Sequence, residues 1–228
     1  TRNADATMLT LAGPEIGVAS TKAFTCQVAV FYVFALWLAS ERKTLSPEKL
    51  REHINAAVTV PELMEQVLNK RDDFEKVARK HLSDRSMLYL GRGLAFAIAL
   101  EGALKLKELS YIHAEGYAAG EMKHGPIALV EESVTSLFVA PEGDGFSKIL
   151  SNIEEIRSRN GPVIAVTTEG NKQLEGVADD VFYVPGGAAA LRPLLTVLPL
   201  QLFAYHVANL KGCDVGQPRN LDKSVNVE

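Results

Sequence analysis

The sequence predicts an α/β fold, a parallel sheet sandwiched between helices. Three observations point there. From Ser86 onward short apolar runs alternate with helical segments. The runs are apolar throughout rather than alternating, as strands covered on both faces are. The chain has 228 residues, 47% of them hydrophobic, which is enough to bury a substantial core.

Residues 6–11, ATMLTL, read as a short strand, and AGPEIGVAS after them as a loop. Ser20 or Thr21 can cap an apolar helix that runs to about Ser40. Its stretch Ala23 to Ala39 could pass for a membrane span. It is slightly short for one and begins with Thr25, Cys26 and Gln27, so burial between helices or at a subunit interface is the better reading. Being internal and without a cleavage pattern, it is no signal peptide either. Ser46 as N-cap, Pro47 and Glu48 start a second helix. The polar, periodic segment 47–82 is expected to be helical and to break near Pro61.

MLYLG (87–91) is expected to be a strand and 94–110 a helix. SVTSLFVA (133–140) reads as a strand, FSKILSNIEEIRSR (146–159) as a helix and PVIAVT (162–167) as a strand. A short polar helix, the strand VFYVP (181–185) and a last helix from Pro193 complete the unit. The division is therefore 1–45, the end of an α/β unit; 46–84, a helical connector; 85–211, a complete unit; and 212–228, an irregular polar tail. A chain holding only the end of its first unit reads as part of something longer.

Composition narrows the chemistry. The net charge is −4 and no cluster of Lys and Arg stands out, so neither nucleic acid nor an anionic membrane is an expected partner. Cys26 and Cys213 lie far apart and suit neither a disulfide framework nor a zinc site, which makes a reducing cytoplasm the default. Without HExxH, CxxC or GxSxG, metal hydrolysis and serine hydrolase chemistry have no support, and no metal site is expected.

Three features could carry function. GRG at 91–93 has the form of a phosphate loop or dinucleotide fingerprint, but Phe96 breaks the motif and a plain tight turn is favoured. In LEGALKLKEL (100–109), Glu101, Lys105 and Glu108 share one arc of the helix with the apolar Leu94 and Ile112, while Lys107 points elsewhere. The spacing leaves two readings open: a surface ion-pair ladder, or two carboxylates around one lysine in a partly dry cleft, one holding the lysine charged while the other acts as a base. His124 stands in GEMKHGP, where Gly120, Gly125 and Pro126 fix an irregular backbone of the kind that presents functional groups, or simply bonds its own turn. His53, His81 and His206 sit in helical contexts.

GPEIGVASTKAFT (13–25), EGALKLKELSYIHAEGYAAGEMKHGP (101–126) and QPRNLDKSVNVE (217–228) together closely resemble the glutamine–fructose-6-phosphate aminotransferases, or glucosamine-6-phosphate synthases. The resemblance implies the C-terminal part of that family's isomerase region, which has two sugar isomerase (SIS) domains. Here the second, 85–211, would be whole, and 1–45 would be the remnant of the first. It implies that Glu108 moves a proton between C1 and C2 of the open-chain sugar, with Glu101 and Lys105 in the same catalytic group. His124 would assist ring opening from the neighbouring subunit, Lys223 would form a Schiff base with fructose 6-phosphate, and Val18 and Ser20 would contact the sugar. It implies no cofactor, a sugar-phosphate substrate and a cytoplasmic homodimer with shared sites. Residues 111–126 would be a Gly-rich excursion long enough to leave its own domain and cross a two-fold axis. The family's glutaminase domain and the Ser/Thr-rich phosphate loops of its first SIS domain are not in this sequence. Two rivals remain, a SIS-family amino-sugar-phosphate deaminase and a non-catalytic sugar-phosphate sensor.

Overall fold

The structure, a computed structural model, describes residues 3–221. Helices α1 (Lys22–Glu41), α2 (Pro47–Leu68) and α3 (Arg71–Lys80) precede a sheet of five strands. The sheet contains β1 (Ser86–Gly91), β2 (His113–Ala118), β3 (Thr135–Val139), β4 (Val163–Thr168) and β5 (Asp180–Val184), with α4 (Leu94–Ser110) after β1, α5 (Phe146–Arg157) after β3 and α6 (Arg192–Leu210) last. Every pairing is parallel, in the order β2-β1-β3-β4-β5, and Tyr89 of β1 pairs with Gly116 on one side and Leu137 on the other. The expected α/β sandwich is what forms.

Strand periodicity builds the two layers. Successive side chains leave opposite faces of a sheet. Met87, Tyr89, Leu137, Val139, Ile164 and Val166 therefore pack with α3, α4 and α6, while Leu88, Leu90, Phe138, Val163 and Ala165 pack with Ile149, Ile153 and Ile156 of α5. Both layers take apolar residues at most strand positions, which is why the centres of β1, β3 and β4 read as apolar runs, with Thr135, Ser136 and Thr167 the buried polar exceptions.

Five expectations need correction. Residues 6–11 form no strand: Leu9 and Leu11 are exposed, and no neighbouring strand among the described residues takes up their backbone groups. Of the two places expected for α1, burial between the helices of this chain is not found: it has no buried residue, and Phe24 packs partly buried against the main core as do Val28, Ala29 and Tyr32 beside Val60, Leu191 and Leu194. Helix α2 runs straight through Pro61 and stops at Asn69, because Val60, Leu63, Met64 and Val67 around the proline are held in the hydrophobic clusters. That packing outweighs the cost of an interior proline, about 3 kcal/mol. The polar stretch after β4 is a series of turns with Gly170 and Gly176 at positive φ (86° and 75°), a backbone no helix accommodates. Finally, 113–118 is not part of an excursion. It is β2, the edge strand beside β1, and the irregular stretch shrinks to the turns at Ala119–His124 and Pro126–Leu129 before β3.

The capping reading of α2 holds: Ser46 Oγ accepts a hydrogen bond from the Lys49 amide at 3.3 Å. For α1 it does not. Thr21 sits at the N-cap without a side-chain bond, and Glu15 does the work, accepting from the Thr21 amide at 2.8 Å and the Ser20 hydroxyl at 3.3 Å.

Candidate active site

Helix α4 starts at the point where strand order reverses, since β1 is followed by β2 on one side and by β3 on the other. The GRG segment makes the tight turn expected there. Gly93, at φ 56°, is the N-cap of α4. A Cβ on Gly91 would lie 2.2 Å from the Ala95 carbonyl oxygen, so only glycine lets the helix begin this close to the strand end. About two turns into the helix, a Cβ on Gly102 would lie 2.1 Å from Leu200 and 2.9 Å from Tyr89, so α4, α6 and β1 meet at close range.

That close packing excludes the first reading, a ladder of ion pairs on the surface. Lys105 is buried, its side chain 3% exposed, with Glu101 at 11% and Glu108 at 21%, whereas Lys107 is exposed. The Lys105 ammonium donates to Glu108 Oε2 at 2.7 Å and stands 3.6 Å from Glu101 Oε1, a charge contact beyond hydrogen-bond reach. Glu101 Oε1 is buried without a hydrogen-bond partner among the described residues. Burial pushes the Glu101 carboxyl above its ordinary range; Lys105 opposes the shift and the charge of Glu108 adds to it. The two carboxylates are thus unequal. Glu108 is hydrogen-bonded and the more open, while Glu101 is drier and less fully compensated. A base that can reach a substrate, fixed by a lysine that a second carboxylate holds from behind, is an arrangement suited to proton transfer.

The other expected site residues are placed as follows. Val18 and Ser20 lie in the loop before α1; their neighbours Gly17, Ala19 and Thr21, but not they themselves, line a cavity of about 370 Å³ with Leu109 of α4 and Tyr205 of α6. The Val18 amide donates to the Gly216 carbonyl at 3.1 Å, so this loop and the tail are joined beside the end of α4. His124 ends the turn after β2, exposed, its Nδ1 2.7 Å from Glu121 Oε2. Within the chain no hydrogen bond or ion pair among the described residues links it to the α4 charges. Lys223 lies outside the described residues.

Two residues at this site escaped the sequence reading. Glu15 caps α1 from six positions before Thr21, a spacing that matches no local capping pattern. Tyr111 ends α4 in the left-handed conformation (φ 62°) and accepts a hydrogen bond from the Arg219 amide at 2.9 Å, a contact across 108 positions that only the fold reveals.

The SIS domain family model matches residues 82–211. The glutamine–fructose-6-phosphate aminotransferase (isomerizing) of Chlorobaculum tepidum is 53% identical over 221 residues, covering 97% of this chain and 36% of that protein. The C-terminal domain of glucosamine-fructose-6-phosphate aminotransferase from Francisella tularensis superposes with a TM-score of 0.90 at 37% identity, over 95% of this chain and 61% of that one. A glucosamine-6-phosphate deaminase from Thermotoga maritima gives 0.62 at 26% identity, over 93% and 59%. The chain spans little more than a third of the length of the curated relatives it matches. The resemblance read from three stretches of sequence is borne out across the chain. All five strands and the three helices α4, α5 and α6 fall inside the matched residues, and the chain belongs to the SIS domain family.

Proposed function

We propose that this chain is the isomerase portion of an enzyme that makes glucosamine 6-phosphate from fructose 6-phosphate and glutamine. The reaction would proceed by ring opening, amination at C2 and proton transfer between C1 and C2. The observation that carries the reading is the buried Lys105 between two unequally exposed carboxylates on α4. The names of relatives close to half identical across the chain agree with it. The deaminase alternative is less favoured, because the structural likeness to that enzyme is the weaker one. A non-catalytic sensor would have no use for a hydrogen-bonded base beside a buried ammonium.

In this reading Glu108 carries the proton between C1 and C2 of the open-chain sugar. The Lys105 ammonium offsets negative charge that develops on the sugar as the proton leaves, and Glu101 holds that ammonium in place. His124, exposed on its turn and free of the α4 charges of its own chain, assists ring opening at the site of a neighbouring subunit. Lys223 attacks the C2 carbonyl as a free amine, and loss of water leaves a Schiff base. Val18 and Ser20 contact the sugar. Residues 1–45 would be the end of a first SIS domain, 46–84 a connector, 85–211 the second SIS domain and 212–228 an active-site tail. The whole protein would be a soluble cytoplasmic homodimer with shared sites. Its ammonia would come from a glutaminase domain elsewhere in the polypeptide. No metal, organic cofactor, nucleic acid or membrane takes part in this scheme.

Substituting Glu108→Gln in the full-length enzyme tests the assignment, since it keeps shape and removes the base. Glucosamine 6-phosphate formation should fall by roughly 10² to 10⁴ while glutamine hydrolysis persists. Product at a near-normal rate would mean that another group carries the proton.

A further inference from the structure

We propose that Tyr111 is a positioning residue that ties the C-terminal tail to the catalytic helix and so delivers the tail's lysine to the sugar. The inference rests on the proposed role of Lys223, and it begins from a backbone anomaly. A helix that ends in a left-handed residue ordinarily places glycine or asparagine there, because a side chain with a Cβ costs energy in that region. Tyr111 sits there at φ 62° and ψ 15°, its amide bonded to the Lys107 carbonyl, three residues after Glu108. An aromatic residue kept at an unfavourable position suggests a task that glycine could not perform.

The task is visible in what Tyr111 touches. Its hydroxyl accepts a hydrogen bond from the Arg219 amide at 2.9 Å, and the Arg219 guanidinium lies 4.1 Å from the ring centroid. Both ends of the side chain therefore hold one tail residue, the ring by its π face and the hydroxyl by its lone pair.

The tail reaches this clamp already ordered. The Cys213 amide bonds to the Ala208 carbonyl, Asp214 accepts from the amides of Gly216 and Gln217, the Val18 amide bonds to Gly216, and Pro218 is buried. Arg219 is the last described residue hydrogen-bonded to α4. From there four residues of chain lead to Lys223 and can span no more than about 14 Å. Fixing the tail at Arg219 limits how far that amine can stray from the end of α4, which raises its effective concentration at a carbonyl bound beside Glu108.

The test uses the full-length enzyme and two substitutions. Tyr111→Gly removes the clamp and at the same time relieves the left-handed strain, so the helix end should remain intact and thermal stability should not fall. Tyr111→Phe keeps the ring and removes only the hydroxyl. Two quantities are measured: hydrogen exchange of the tail amides 213–221, and borohydride trapping of fructose 6-phosphate on Lys223, located by mass spectrometry.

Tyr111→Gly should speed tail exchange and slow trapping, each by roughly tenfold, the loss expected when a hydrogen bond and an exposed cation–π contact go together. Tyr111→Phe should fall between, and glutamine hydrolysis should be unchanged in both. Tail exchange that stays at the wild-type rate in Tyr111→Gly overturns the tether. So does accelerated exchange with trapping unimpaired. If the wild-type enzyme itself gives no adduct on Lys223, the Schiff-base assignment fails instead, and the exchange measurement alone decides whether Tyr111 holds the tail.

Discussion

On α2 and α3 the pairs Lys49–Glu52, Lys76–Asp73 and Arg79–Glu75 repeat the spacings of the α4 ladder, i to i+3 and i to i+4. The side chains of Lys49 and Lys76 are 62% and 73% exposed, against 3% for Lys105. The same local arrangement of charges therefore occurs twice with opposite surroundings. On α2 and α3 water solvates each partner before and after pairing, so closing the pair changes little. On α4 the charges were taken out of water when the domain formed, and each now depends on the others. Spacing specifies which side chains meet; burial sets what the meeting is worth.

The largest expected consequence lies at Lys105. Replacing it with alanine removes the cation that compensates two nearby carboxylates, Glu101 already short of a hydrogen-bond partner among the described residues. Breaking a buried pair from one side costs about 3–5 kcal/mol. Denaturant unfolding of Lys105→Ala should show a loss on that scale. A midpoint equal to wild type would show that water already reaches the ladder and that α4 resembles α2 after all.

A smaller effect, of opposite sign, is expected at Glu101. Its carboxyl titrates above the ordinary value of 4.5 because burial disfavours the charged form. A group whose folded pKa is raised binds more protons in the folded state. It contributes stability below its unfolded pKa, and that contribution is lost as pH rises through the folded pKa. Glu101→Gln, which cannot ionise, should remove this loss. The variant should equal or exceed wild type in stability near neutral pH, and the downward slope of stability with pH above 4.5 should flatten. An unchanged slope would place the cost of the ladder on some other group.

How much of this was legible in the sequence follows from where each signal resides. The ladder could be read because its three charges, at spacings of four and three, share one arc of a helix; the apolar company expected for that arc does not hold, since Leu94 is exposed and Ile112 lies beyond the end of α4. The buried strands could be read because both of their faces are apolar. Strand β2 could not: of HAEGYA only Ala114 is buried, since an edge strand has one neighbour and little to cover. Glu15 and Tyr111 were invisible for a different reason. Each acts on a residue that local spacing does not bring to it, so no periodicity records either contact. Helix α1 shows the converse: an apolar composition states a demand for burial without saying what meets it, and within this chain no α1 residue is buried.

The last and smallest effect is at Lys49. Its partner Glu52 is 68% exposed and the pair closes at 2.8 Å across one helical turn. Alanine and lysine have nearly equal helix propensity, so Lys49→Ala removes the charge contact and little else. The screening length in solution shrinks from about 10 Å at 0.1 M salt to about 3 Å at 1 M, which weakens exposed pairs and leaves buried ones nearly untouched. Unfolding of wild type, Lys49→Ala and Lys105→Ala should therefore be followed at both salt concentrations. Any deficit of Lys49→Ala should be barely measurable at low salt and absent at high salt, while that of Lys105→Ala should persist at both. If salt erased the Lys105 deficit as well, the α4 charges would be solvated in the folded protein. The contrast between the two sets of ion pairs would then be one of crowding alone, not of dielectric.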